Sequence, residues 1–115
     1  MDIEVIQHIC LGFKSVTQDI KWVNNLCFCV GEKIFCMASL DEVPTRASFK
    51  VSKEEFDELI ARDGFIQAPY MARNQWVLVK DITLISEAEW KRLLKKSYDL
   101  IAAKLTKKMR QEIGL

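Results

Sequence analysis

The sequence predicts an α+β domain, an antiparallel sheet of five to six strands with helices packed on one side. Three observations carry that expectation. Apolar spacing is helical up to residue 13, then changes to period two, the spacing of a half-buried strand. Val30-Gly31-Glu32-Lys33 reads as a hairpin turn, with Gly31 free to take positive φ. Ser52-Lys53-Glu54-Glu55 and Ser86-Glu87-Ala88-Glu89 are two capping boxes, each announcing a helix. Strands and helices that come in runs, rather than in strict βαβ alternation, place the chain in the α+β class.

The elements follow in order. Ile3, Ile6, Ile9, Cys10 and Phe13 share one face of a first helix, with Glu4, Gln7 and His8 opposite, and Gly12 or its successors should end it. In a first strand Ile20 and Trp22 alternate with Asp19 and Lys21; in the second, Leu26, Phe28 and Val30 alternate with Cys27 and Cys29. In the third, Ile34, Cys36 and Ala38 oppose Phe35, Met37 and Ser39. A fourth turns Ala47, Phe49 and Val51 inward and Arg46, Ser48 and Lys50 outward. Val51 can staple onto Phe56, and Ile85 onto Trp90, fixing the entry angles of the two capped helices. Phe65-Ile66-Gln67 and Trp76-Val77-Leu78-Val79 are strand-like, and the last helix buries Trp90, Leu93, Leu94, Ile101 and Leu105. Residues 26–38 are apolar on both faces. Either the sheet curls so that both faces are buried, or the second face is offered to a partner.

The 115 residues read as one domain over 1–115, half of them apolar and 29% charged, as is ordinary for a soluble globular protein. No apolar run reaches the ~18 residues of a membrane span. The acidic start Met1-Asp2-Ile3-Glu4 is unlike a secretory signal, and four cysteines in so apolar a chain read as reduced thiols of a cytoplasmic protein. Net charge is +1, but residues 1–85 carry −3 and residues 86–115 carry +4. A pI near 7.6 is low for a dedicated DNA-binding domain, where values above about 9 are common, so any phosphate contact must be local.

Catalytic constellations do not emerge. The single histidine, His8, lies on a polar helix face, and four scattered glycines make no phosphate-cradling loop. Cys27, Cys29 and Cys36 could approach one another, but C-x-C spacing at apolar positions reads as packing, so we expect no metal and no cofactor. Glu54, Glu55, Asp57 and Glu58 open a helix, where the dipole favours carboxylates. Arg92 and Lys96 are read as pairing with Asp99, beside a solvent-side row of Lys91 and Lys95; Lys104, Lys107, Lys108 and Arg110 complete the basic portion. The connection Ala68-Pro69-Tyr70-Met71-Ala72-Arg73-Asn74-Gln75-Trp76 combines aromatics, an arginine and amides, the side chains that grip flat or anionic partners.

Taken in order, several pieces resemble the MmcQ/YjbR family of small bacterial proteins. They are Asp19-Ile20-Lys21-Trp22, Leu26-Cys27-Phe28, Val30 to Phe35, Ser48-Phe49-Lys50-Val51, Ala68 to Arg73 with Trp76, and Ser97-Tyr98 with Lys104-Leu105. The resemblance implies a CyaY-like fold and a DNA-binding role through a double-wing arrangement of hairpins. Carried over by residue, it points to Trp22, Lys33, Lys50, Tyr70, Arg73 and Trp76. Gln75 stands where a histidine often precedes the tryptophan, which removes an acid–base group. Asp2 and Glu4 fall far short of the acidic ridge that iron binding in CyaY would imply.

The expected function is therefore a non-enzymatic module that contacts double-stranded DNA. Lys33 and Lys50 would meet phosphates, Arg73 would reach a phosphate or groove edge, and Tyr70 would stack. The alternative is a protein-interaction or small-ligand module that uses the sheet face and the same loop.

Overall fold

Residues 2–69 and 75–115 are described by a computed structural model. Helix α1 (Ile3–Leu11) is capped by the Asp2 carboxylate, which accepts from the Glu4 amide at 3.0 Å, and buries Ile6, Ile9 and Cys10. Strands β1 (Val16–Lys21), β2 (Asn25–Val30), β3 (Lys33–Ser39) and β4 (Ala47–Lys50) follow, then α2 (Lys53–Ile60), β5 (Phe65–Gln67) and β6 (Trp76–Val79). A 3₁₀ turn at Ile82–Leu84 leads into α3 (Glu87–Ala102) and a short α4 (Lys107–Glu112). Both capping boxes form on their serine side: Ser52 Oγ accepts from the Glu55 amide and Ser86 Oγ from that of Glu89.

Among the described residues the strands form one antiparallel sheet in the order β1-β2-β3-β4-β6-β5. Its inner face carries Leu26, Phe28, Val30, Cys36, Ala38, Ala47, Phe49, Val77 and Val79 into a single buried cluster with Trp90, Leu93, Leu94 and Ile101 of α3. The outer face carries Cys27, Cys29, Ser48, Lys50 and Trp76, all withdrawn from solvent, beside half-buried Ile34, Met37 and Leu78. Both faces of the central strands are therefore largely buried, as their composition requires.

Four expectations need correction. Strict alternation fails in β3, where Phe28 pairs with Cys36 and Cys29 with Ile34, leaving Phe35 as the extra residue of a bulge. Phe35 and Cys36 are consequently both buried. Ile20 and Trp22 do not reach the core: Ile20 is 57% and Trp22 66% exposed. β1 is an edge strand that meets the helical layer at Gln18, whose side chain accepts from Gln7 Nε2 at 2.8 Å. Trp22 itself has left the strand, with φ at 52°.

Lys50 does lie on the outer face, as expected, but is withdrawn from solvent there, only 6% exposed and opposite the equally buried Trp76. Lastly, the final helix does not run straight to Leu105. It ends at Ala102, and the Arg110 side chain donates to the carbonyls of Ala103 and Leu105, satisfying acceptors that a helix end leaves open. Leu105 stays buried while the chain turns, and Thr106 caps α4 by accepting from the Met109 amide at 3.1 Å.

Candidate nucleic-acid interface

Of the six residues singled out from the sequence, the four among the described residues do not converge on one surface. Trp22 lies in the turn between β1 and β2, whereas Lys33 begins β3 at the opposite end of β2. The length of that strand, roughly 17–20 Å, separates them. Lys50 and Trp76 face each other across β4 and β6, and both are buried. Burial lowers the Lys50 pKa, and the neighbouring Lys104 ammonium lowers it further. Tyr70 and Arg73 lie outside the described residues.

What the fold does assemble is a basic end around the β2–β3 hairpin. Gly31 occupies the turn with φ at 55°, and a Cβ there would stand 2.7 Å from Leu105 Cδ1 and 3.1 Å from Met109 Cγ. The hairpin therefore lies directly against the α3–α4 turn and α4. Ser15 Oγ donates to the Ile113 carbonyl, which ties the end of α4 to the approach to β1. Lys33 on the hairpin and Lys104, Lys107 and Lys108 on the turn and α4 are all exposed at this end. Among the described residues, none of these four has a carboxylate oxygen within 4.0 Å.

The basic row of α3 is different, since its charges are taken up locally. Lys91 pairs with Glu87 at 3.6 Å and Lys95 with Asp99 at 2.7 Å. Arg92 and Lys96 converge on Glu55 of α2, at 3.5 and 2.7 Å. The expected pairing of Arg92 and Lys96 with Asp99 is thus corrected: Glu55, read from sequence as a dipole-favoured carboxylate, is the hub. The excess of positive charge in residues 86–115 was legible. Which lysines remain unneutralised was not, because α2 supplies the partner from more than 30 residues away.

The cysteines divide by face. Cys27 and Cys29 share the outer face, as expected, but Cys36 turns into the inner core and meets Cys10, so the expected approach of all three to one another is corrected. Among the described residues, no group of three or more His, Cys, Asp or Glu is placed to hold a metal ion. Burial pushes the Cys27 thiol from its ordinary 9.0 up to about 11, and burial also raises Cys29. A hydrogen bond with Cys10, together with burial, raises Cys36 well above the usual range. Thiols held neutral in the fold while the unfolded chain ionises give a definite sign. Their contribution to stability is complete below pH 9.0 and is lost as pH rises toward about 11. Urea titrations at a series of pH values should show a flat plateau below 9 and a falling midpoint above it. The same burial predicts that a thiol-specific reagent modifies the four cysteines slowly in the native protein and rapidly in denaturant.

On the outer face, a groove of about 440 Å³ opens between Asn25, Met37, Arg46, Ser48, Pro69 and Leu78. It mixes apolar floor with amide, hydroxyl and guanidinium groups. Such a groove suits a small ligand or an inserted side chain.

The family model YjbR matches residues 11–100. The crystal structure of Deinococcus radiodurans protein DR2400, with family-model domain DUF419, shares this fold with a TM-score of 0.87. The two chains are 23% identical, and the match covers 99% of this chain and 88% of that one. No curated protein matches the chain.

Proposed function

The chain belongs to the YjbR family, and within it we propose a non-enzymatic binding module whose basic hairpin end holds double-stranded DNA by its phosphates. The observation that carries the reading is the contrast between two sets of basic side chains. Those of α3 are neutralised by Glu55, Glu87 and Asp99, whereas Lys33, Lys104, Lys107 and Lys108, exposed on one end of the molecule, have no carboxylate partner among the described residues. Phosphate contacts of this kind release condensed counterions and supply most of nonspecific affinity. A near-neutral domain can bind in this way only through a local patch, which the hairpin, turn and α4 provide.

Arg73 and Tyr70 join the proposal from the sequence alone, as a second contact on the 68–76 connection. Lys50 and Trp76 are buried in the sheet and do not themselves meet DNA; Trp22 stands at the far end and plays no part. Buried reduced thiols suit a bacterial cytoplasm, where we place the protein. Among the described residues, no helix is long and apolar enough to cross a membrane.

Fluorescence anisotropy with a labelled ~20-bp duplex tests the reading. The charge reversals Lys107→Glu and Lys108→Glu together should weaken binding by about tenfold or more. Lys91→Glu with Lys95→Glu, which changes net charge by the same amount on the neutralised α3 face, should change it far less. Equal losses from both would mean that global charge, not this surface, governs binding. A second reading rests on the outer-face groove: binding of a small ligand or peptide there would depend weakly on salt. It would perturb the NMR signals of Met37 and Arg46 and leave those of Lys33 and α4 unchanged.

A further inference from the structure

The tip opposite the basic end concentrates exposed apolar side chains. Besides Ile20 and Trp22, Val23 is 94% and Val43 97% exposed, and Leu40 is also exposed. They belong to two adjoining segments: the Leu40 amide donates to the Asn24 carbonyl at 2.8 Å, and Asn24 Nδ2 donates to both carboxylate oxygens of Asp41. Beside this tip runs β1, the edge of the sheet, joined to β2 on one side. The Ile20 amide donates to the Asp19 carboxylate at 2.9 Å rather than across the ladder, so the Ile20 backbone faces outward. Alternation along an antiparallel strand turns Gln18 outward as well.

From this edge we infer that the protein self-associates by antiparallel pairing of β1 with β1 of a second copy, centred on Ile20. The occupant follows from charge and register. With outward residues paired to outward residues, a two-fold axis at Ile20 sets Asp19 of each copy opposite Lys21 of the other. These are non-hydrogen-bonded positions, where side chains approach most closely. Two Asp–Lys pairs result: each Asp19 carboxylate leaves its own Ile20 amide for Lys21 of the other copy, which frees the two Ile20 residues to exchange backbone hydrogen bonds and meet on the inner side. Shifting the register by two residues either way would set Asp19 opposite Asp19 or Lys21 opposite Lys21, which like-charge repulsion disfavours.

A further shift would centre the pair on Gln18. It would set Asp19 against Thr17 without a charge partner, and Lys21 against Ser15, whose φ of 63° has already left the strand. The Ile20-centred register also carries Trp22 and Val23 past Gln18 of the second copy, removing apolar surface from water. An exposed edge strand is a template for such pairing unless it is blocked; here the charges select one self-complementary arrangement instead of preventing all of them. The two hairpin ends then lie on opposite sides of a continuous sheet. The association is independent of DNA binding.

Sedimentation equilibrium over a wide range of protein concentration tests this, with circular dichroism to confirm folding of each variant. The wild type should shift from monomer to dimer mass as concentration rises, with the weak affinity of a small interface. Asp19→Lys should weaken association by about tenfold or more, and Asp19→Lys combined with Lys21→Asp should restore it. Trp76 and Trp90 are buried, so dimer formation should appear as a blue shift dominated by Trp22 emission. A wild type that stays monomeric throughout, an Asp19→Lys variant that associates as well as wild type, or a double variant that fails to recover would overturn the inference.

Discussion

Trp90→Ala is expected to destabilise the protein by about 3–5 kcal/mol, the range found when a buried large aromatic is truncated. Trp90 is fully buried at the start of α3 and meets the Phe49 ring edge-to-face, with centroids 5.4 Å apart. Its Nε1–H donates to the Ile82 carbonyl at 2.9 Å, holding the 3₁₀ turn against the helix that follows. Truncation therefore opens a cavity between α3 and β4 and removes the buried indole hydrogen bond, leaving the Ile82 carbonyl only its weaker bond from the Ile85 amide. For a domain whose whole stability is about 5–15 kcal/mol, that loss is large. Thermal unfolding should report a Tm lower by on the order of 15 °C. Trp90→Phe separates the two contributions: a ring remains against Phe49 but the donor is gone, so the loss should be about 1–2 kcal/mol. Equal losses for the two variants would mean that the hydrogen bond, not the ring, carries the effect.

The second large effect belongs to Ser97, a small polar residue fully buried on the inward face of α3. Its hydroxyl donates to the Phe35 carbonyl at 2.7 Å and accepts from the Lys50 amide at 3.0 Å. These backbone groups belong to β3 and β4 just past their last paired residues, Cys36 and Phe49, where the Phe35 bulge ends the ladder. One hydroxyl thus completes the hydrogen bonding of two strands and fixes the helix over them. Ser97→Ala removes both bonds without making a useful cavity for water, leaving a buried donor and acceptor at a cost of about 2–4 kcal/mol. Urea denaturation measures the loss. Hydrogen exchange locates it, because the Lys50 amide should lose protection more than those of Phe49 and Val77. A change below about 0.5 kcal/mol would show that the strands find other partners.

The chain signals its helix starts and its hairpin locally, and the structure follows those signals. Ser52 and Ser86 cap where their boxes predict, and Gly31 takes the left-handed turn. The resemblance to the MmcQ/YjbR family also has a structural basis in this chain: Ser97 joins α3 to the sheet, and Tyr98 donates to the Lys14 carbonyl at 2.7 Å. What escaped sequence reading depends on distant neighbours. Phe35 and Cys36 are both apolar, so the alternation cannot reveal which of them is the extra residue in a bulge. Ile20 and Trp22 have strand-core chemistry, yet only the strand order shows that β1 is an edge. Lys50 looks like any outward lysine until β6 places Trp76 beside it. The C-terminal charge excess was visible, but its division into paired and available lysines depends on Glu55.

That division bears on function more than any single residue. A sequence reading that spread the DNA contact over Trp22, Lys33, Lys50, Tyr70, Arg73 and Trp76 asks one surface to span both ends of the sheet. Centring it on the hairpin, the α3–α4 turn and α4, with Arg73 and Tyr70 as a second contact, gives a main surface with a countable charge.

The salt dependence of duplex binding tests that claim most directly. If Lys33, Lys104, Lys107 and Lys108 each neutralise a phosphate, log K against log salt concentration should fall with a slope of about −3 to −4. Replacing Lys107 and Lys108 with glutamine should make the slope shallower by about 2. A slope near zero, or one unchanged by those two substitutions, would contradict the assignment of DNA binding to the basic end.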